Sequence, residues 1–274
     1  MCGRPVPILL AWCALAALIA LDRAALAQGK LDAHYRIVLA RVSVGEIKAN
    51  IELSGSEYRI AVNGRARGLL KALISGEGEM SVRGAIEDGS LVPAEYNSKL
   101  SAEAGTDTVS IVLDHGAVKE LLVTPAPIPN DGGDTTQTIQ GVVDPLTALL
   151  LPAPTGQEAL SAEACQRTIS VFDGRHRYDL KFASKRLDKS SEPNRLYSGP
   201  VLVCSLAYQP SEPHHSNPLG KYLSEGREME IAFVLLPGTR VLAPVRFSVA
   251  SMIANLAIEV DRFEWRAAPA NSSQ

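Results

Sequence analysis

Ile47-Lys48-Ala49-Asn50-Ile51-Glu52-Leu53 alternates apolar and polar side chains without a break. Successive side chains of an extended chain point to opposite faces, so Ile47, Ala49, Ile51 and Leu53 share one face while Lys48, Asn50 and Glu52 share the other. The segment predicts a half-buried β-strand. The same period recurs at Tyr35, Ile37 and Leu39, at Tyr58, Ile60 and Val62, and at Val109, Ile111 and Leu113. It returns at Tyr178, Leu180 and Phe182, at Met229, Ile231, Phe233 and Leu235, and at Val245, Phe247 and Val249. Asn63-Gly64, Asp88-Gly89, His115-Gly116 and Asp173-Gly174 fall between or beside these runs, and such pairs suit the primed turns of β-hairpins.

Even alternation implies one wet face, which an antiparallel sheet permits and a helix-covered parallel sheet does not. About ten to twelve strands are expected, and a sheet that long curls or splits into layers. The predicted fold is mainly β, a curled antiparallel sheet or partly open β-barrel with one or two short helices. The clearest helix starts at Asp144, an N-cap residue, with Pro145 in the first turn. Leu146, Leu149 and Leu150 follow at helical spacing and Pro152 ends it after about two turns. So short an apolar stripe fits a plug over one end of the sheet better than a ligand wall. Residues 68–74 fit both a helical face and a glycine-bounded loop. Segments 124–141 and 209–226, rich in proline, read as surface loops. No repeat relates the halves, so residues 28–274 are expected to form a single β-rich domain.

Composition narrows the function. Of 274 residues, 46% are hydrophobic and 21% charged, which is globular and able to bury a core. A net charge of -3 and an aromatic content of 5% argue against a nucleic-acid partner, which needs a basic excess and stacking platforms. At the amino terminus, Arg4, an apolar run over 6–21 and Ala25-Leu26-Ala27 read as a cleavable signal peptide spanning 1–27, cut after Ala27. That run is shorter than the ~20 residues that span a bilayer. No other apolar run is long enough without polar interruption, so no stable membrane span is expected after cleavage, and the protein is expected in the periplasm or secreted. Cys2 and Cys13 leave with the signal. Cys165 and Cys204 stay, and two thiols in an exported chain point to a disulfide. Closing a loop of about 40 residues contributes roughly 4 kcal/mol. A metal site is disfavoured by the lack of a C-x-x-C pair, and free thiols by the compartment.

Chemistry-bearing motifs are sparse. The G-x-S-x-G elbow, H-E-x-x-H, the P-loop and the dinucleotide fingerprint do not occur; Gly76-Glu77-Gly78 begins like the last, but Ser81 stands where its third glycine belongs. His214-His215 and Arg175-His176-Arg177 suggest a metal cluster only weakly, because adjacent histidines diverge and flanking arginines repel a cation. Arg59, Arg65, Arg67 and Lys71 form a basic cluster around Asn63-Gly64. It reads as a solvated hairpin end, or as a patch for an anionic head group or acidic partner. No catalytic residue, metal ligand or cofactor is assigned, and the ligand-binding residues are left unknown.

Cys165, Val171-Phe172-Asp173-Gly174-Arg175, Tyr178-Asp179-Leu180, Cys204 with Tyr208 and Pro210, Pro244-Val245-Arg246 and Asp144-Pro145-Leu146 form an arrangement that resembles the family called domain of unknown function 3108. The resemblance covers residues 35–263. It implies an exported, β-rich protein of the bacterial envelope and no particular activity. The layout is also similar to β-spiral envelope-integrity proteins and periplasmic lipoprotein carriers, by fold analogy alone. The expected function is a non-enzymatic periplasmic protein of envelope maintenance. It would bind a lipid-like ligand or an extended partner segment on the concave face of its sheet, where an interior lined by Val, Ile, Leu and Ala leaves room for a groove. The alternative is a packed interaction module working through its loops, and behind it a hydrolase with a dispersed site.

Overall fold

The computed structural model describes residues 28–66, 76–103, 105–126, 139–155, 158–189, 197, 199–211, 223–224, 226–250 and 255–268. The signal segment, residues 67–75, His214, His215 and most of the 124–141 and 209–226 segments lie outside them. Among the described residues fourteen strands are formed, more than the ten to twelve expected from alternation. In chain order they are β1 (Gly29–Leu39), β2 (Val42–Ser54), β3 (Glu57–Ala66), β4 (Gly76–Glu87), β5 (Ser90–Ala102), β6 (Gly105–Asp114) and β7 (Ala117–Thr124), followed by β8 (Leu151–Pro152), β9 (Arg167–Phe172), β10 (Arg177–Lys189), β11 (Pro200–Pro210), β12 (Met229–Leu235), β13 (Val241–Val249) and β14 (Leu256–Ala267). They make one antiparallel sheet in the order β7-β6-β5-β4-β3-β2-β1-β14-β13-β12-β11-β10-β9, with β8 on β13. The sheet does not close, and β7 and β9 are its edges.

The strand that decided the fold behaves as its alternation requires: Ala49, Ile51 and Leu53 are buried and Ile47 packs against them. Asp88-Gly89 and His115-Gly116 make tight turns with both residues at positive φ, and Asp173-Gly174 opens the β9–β10 turn. Asn63-Gly64 does not turn. β3 runs through it to Ala66, paired on one side with β2 and on the other with β4, and this double pairing holds the dipeptide extended. The β1–β2 turn instead uses Ala40 and Arg41, at φ 49° and 70°, where the sequence carries no glycine to announce it. Pro210 belongs to β11, so the second predicted loop starts later than expected.

Apolar burial falls into two clusters. The inner faces of β1–β6 form the first, centred on Leu31, Tyr58 and Ile111. Strands β9–β13 form the second, centred on Val171, Ile231 and Phe233. β12 and β13 break the expectation of one wet face, because their adjoining ends form a wall between the clusters. Phe233 and Leu242 face the second, while Leu236, Val241 and Ala243 face the first.

Residues 139–143 bridge the open edges. The Val118 N–H donates to the Ile139 carbonyl (2.9 Å) and the Val142 N–H to the Gly116 carbonyl (3.1 Å). On the other side, the Val143 N–H reaches the Ser170 carbonyl (3.0 Å) and the Phe172 N–H reaches the Val143 carbonyl (2.9 Å). Backbone groups at a sheet edge need partners, and this strap supplies them where β7 begins and β9 ends. The carboxyl end of the predicted 124–141 loop is thus an ordered tie between edges.

Candidate functional site

The strap leads directly into Asp144-Pro145-Leu146-Thr147. The predicted helix shrinks to a single 3-10 turn over Thr147–Leu149, after which Leu151–Pro152 goes extended and pairs with β13. The start signal is nonetheless real. Asp144 Oδ1 accepts the Leu146 N–H (2.9 Å) and the Thr147 N–H (3.0 Å), and its carbonyl accepts the Ala148 N–H (3.1 Å). Pro145 has no N–H to satisfy. The turn stops early because its residues serve two cores: Leu146 and Leu150 pack into the first cluster, Ala148 and Leu151 into the second. It is a keystone between them, where the sequence suggested a plug over one end of the sheet.

Polar chemistry gathers around this keystone. The Tyr58 hydroxyl shares a 2.7 Å hydrogen bond with Thr147 Oγ1 in a buried setting. Asp144 is 0% exposed, and its second oxygen, Oδ2, has no hydrogen-bond partner among the described residues. Burial raises its carboxyl pKa, against the pull of Thr147 and the backbone N–H groups. Tyr58 and Tyr96 are both pushed up, first by burial and further by the charge of Asp144. Tyr178 is raised well above its ordinary value by burial and by Asp173; its ring lies against that of Tyr208, tilted by 36°, with centroids 4.8 Å apart.

The β9–β10 turn closes the cluster. Asp173 Oδ1 accepts the Arg175 N–H (2.8 Å) and the His176 N–H (2.7 Å). Burial alone would raise this carboxyl, but the hydrogen bonds from His176 and the turn's N–H groups bring it below its ordinary value. Arg175 reaches Asp107 Oδ2 (2.9 Å) and the Pro125 carbonyl (3.0 Å), tying the turn to β6 and the end of β7. A Cβ on Gly174 would sit 2.2 Å from Val109 Cγ1, so only glycine lets the turn lie against β6. Phenols held protonated in a buried setting donate hydrogen bonds and make poor nucleophiles. Here the Tyr58 phenol fastens β3 to the keystone.

The other predicted positions are distributed as follows. Cys165 and Cys204 are bonded, with Cα atoms 5.7 Å apart, inside the second cluster. His176 lies 3.4 Å from Asp173 Oδ2, and among the described residues no three His, Cys, Asp or Glu side chains gather as a metal site. Arg59 and Arg65 sit on the outer face of β3, Arg59 in mid-strand and Arg65 at the end of the strand beside the start of β4, and Arg65 pairs with Glu46; Arg67 and Lys71 lie outside the described residues. Among the described residues, no helix is long and apolar enough to cross a membrane. Sequence reasoning missed the tyrosine cluster around Asp144. Its signal was the placement of Tyr58 and Tyr96 on apolar strand faces, where a phenol needs a polar partner.

An open, barrel-like antiparallel sheet whose edges are bridged by its own chain defines the class. The chain belongs to the family described as protein of unknown function (DUF3108), whose model matches residues 32–257. Among solved structures it is similar to the crystal structure of a beta-barrel-like protein of domain of unknown function DUF1849 from Brucella abortus. That likeness has 12% identity and a TM-score of 0.48, and covers 88% of this chain and 98% of the other. No curated protein matches the sequence.

Proposed function

We propose that this is a non-enzymatic periplasmic protein of envelope maintenance that works as a packed interaction module through its outer surface. The occupied interior carries the reading: Val142, Leu146, Leu150 and Phe172 fill the apolar side of β1–β6, where a lipid or extended segment would otherwise lie. A carrier would have to expel the keystone and leave the Tyr58 hydroxyl buried without its hydrogen bond to Thr147. The disulfide supports an oxidising compartment. Native mass spectrometry of protein purified from the periplasm, offered acyl chains of several lengths, tests this. A lipid-free mass beginning at Gln28 is expected; stoichiometric lipid retained through purification would instead establish the carrier.

A further inference from the structure

The outer face of β1–β6 carries three parallel rows of side chains that cross the strands in register. The middle row is Asn50, Ala61, Ser81, Asn97 and Ser110, each directly opposite the next. All are short and uncharged. On one side runs Lys30, Glu52, Arg59, Arg83 and Glu95, and on the other Asn63, Glu79, Lys99 and Thr108, again in register. Long side chains along one side, with Glu79 and Lys99 on the other, bound the short floor and make a trough. It contains two hollows of about 580 and 380 Å³ that share Ala61, Ser81 and Asn97. Five strands at about 4.8 Å spacing give the floor a length of roughly 19 Å.

We infer that this trough binds a linear, acidic, hydroxyl-rich polymer, a glycan chain bearing carboxylates, lying across the strands. This rests on the reading of a packed module acting through its surface. Beside Ala61 the floor offers the Asn50 amide, the Ser81 and Ser110 hydroxyls and the Asn97 amide, whose Nδ2 also donates to Glu95 Oε1 (3.0 Å), at one side chain per strand, on the scale of a sugar ring. An extended peptide satisfies its backbone at a strand edge, which the face of a sheet does not provide. The charge pattern sets the sign. Lys30 engages Glu52 at 2.9 Å, and Arg83 engages Glu95, its Nε 2.9 Å from Oε2. Arg59 stands between these pairs with no ion-pair partner among the described residues, directly opposite Arg83. Like charges directly opposite destabilise a sheet, and an incoming carboxylate between Arg59 and Arg83 relieves the repulsion.

The test is calorimetric titration of the full chain, with amide NMR, using an α-1,4-linked galacturonate hexamer, neutral maltohexaose and inorganic phosphate as probes. The acidic hexamer is expected to bind and shift the amides of Ala61, Ser81 and Asn97, with maltohexaose weaker by about ten-fold, the worth of one charge-assisted hydrogen bond. Arg59→Ala is expected to lose about ten-fold and Ser81→Trp to abolish binding, while Arg262→Ala on β14 binds as wild type. Asn97→Ala serves as the floor variant should Ser81→Trp fail to fold. No shift at millimolar hexamer, undiminished binding by the floor variant, or equal binding of phosphate would overturn the proposal. A lipid-free protein that ignores the hexamer sinks the trough alone; retained lipid sinks the packed-module reading whatever the trough does.

Discussion

The Tyr58 hydroxyl lies 2.7 Å from Thr147 Oγ1, joining a strand of the first core to the keystone turn 89 residues further along the chain. Both groups are buried, and Thr147 also acts on the Asp144 carboxyl. Tyr58→Phe takes away the Thr147 hydroxyl's partner on β3 and is expected to cost about 1–3 kcal/mol. The double variant with Thr147→Val removes both polar groups and should recover part of that loss. Urea unfolding of the two variants measures it, and equal destabilisation by the single and the double would contradict the coupling.

Asp144 makes stability fall as pH rises. Its carboxyl pKa is raised by burial above its unfolded value, so its stabilising contribution is complete below the ordinary Asp range and lost as pH climbs through the folded value. The groups facing it, Tyr58, Tyr96 and Tyr178, are raised phenols and stay neutral throughout. Asp173, lowered by its hydrogen bonds, acts with the opposite sign at the acid end. Asp144→Asn keeps the Oδ1 acceptor and removes the charge. From about pH 4 upward the variant is expected to gain melting temperature relative to wild type. Parallel melting profiles across pH would refute this.

Reduction of Cys165–Cys204, which closes a loop of 39 residues, should cost about 4 kcal/mol by the chain-entropy estimate. Intact mass with and without reductant, followed by denaturant unfolding of the Cys165→Ala/Cys204→Ala pair, checks both the bond and its size. Two free thiols in periplasmic material would contradict the assignment.

Two turn glycines should respond differently to a methyl group. Gly89 has φ +78° and nothing within 4 Å of an added Cβ, so Gly89→Ala carries left-handed strain alone, about 1–2 kcal/mol. Gly174→Ala adds a collision with Val109 to a φ of +97° and is expected to cost about 2–5 kcal/mol. Hydrogen exchange should show the second substitution loosening residues 173–176 and the adjacent part of β6. Equal effects of the two would mean that the turn does not press on β6.

Period-two alternation by itself marked β1–β3, β6, β10, β12 and β13 and the antiparallel class, because side-chain direction in an extended chain is local geometry. Cysteine count and compartment pointed to the Cys165–Cys204 bond, and Asp144-Pro145 marked the start of the plug, since an N-cap is read from a few adjacent residues. What escaped was whatever depends on partners distant in the chain. Asn63-Gly64 stayed extended because β2 and β4 occupy both its sides, and Ala40-Arg41 turned because the β1–β2 register demanded it. The burial of Asp144, the strap between β7 and β9, and the trough of Asn50, Ala61, Ser81, Asn97 and Ser110 exist only once the strands are in register. Local rules set which way each side chain points, and tertiary pairing alone sets what it meets there.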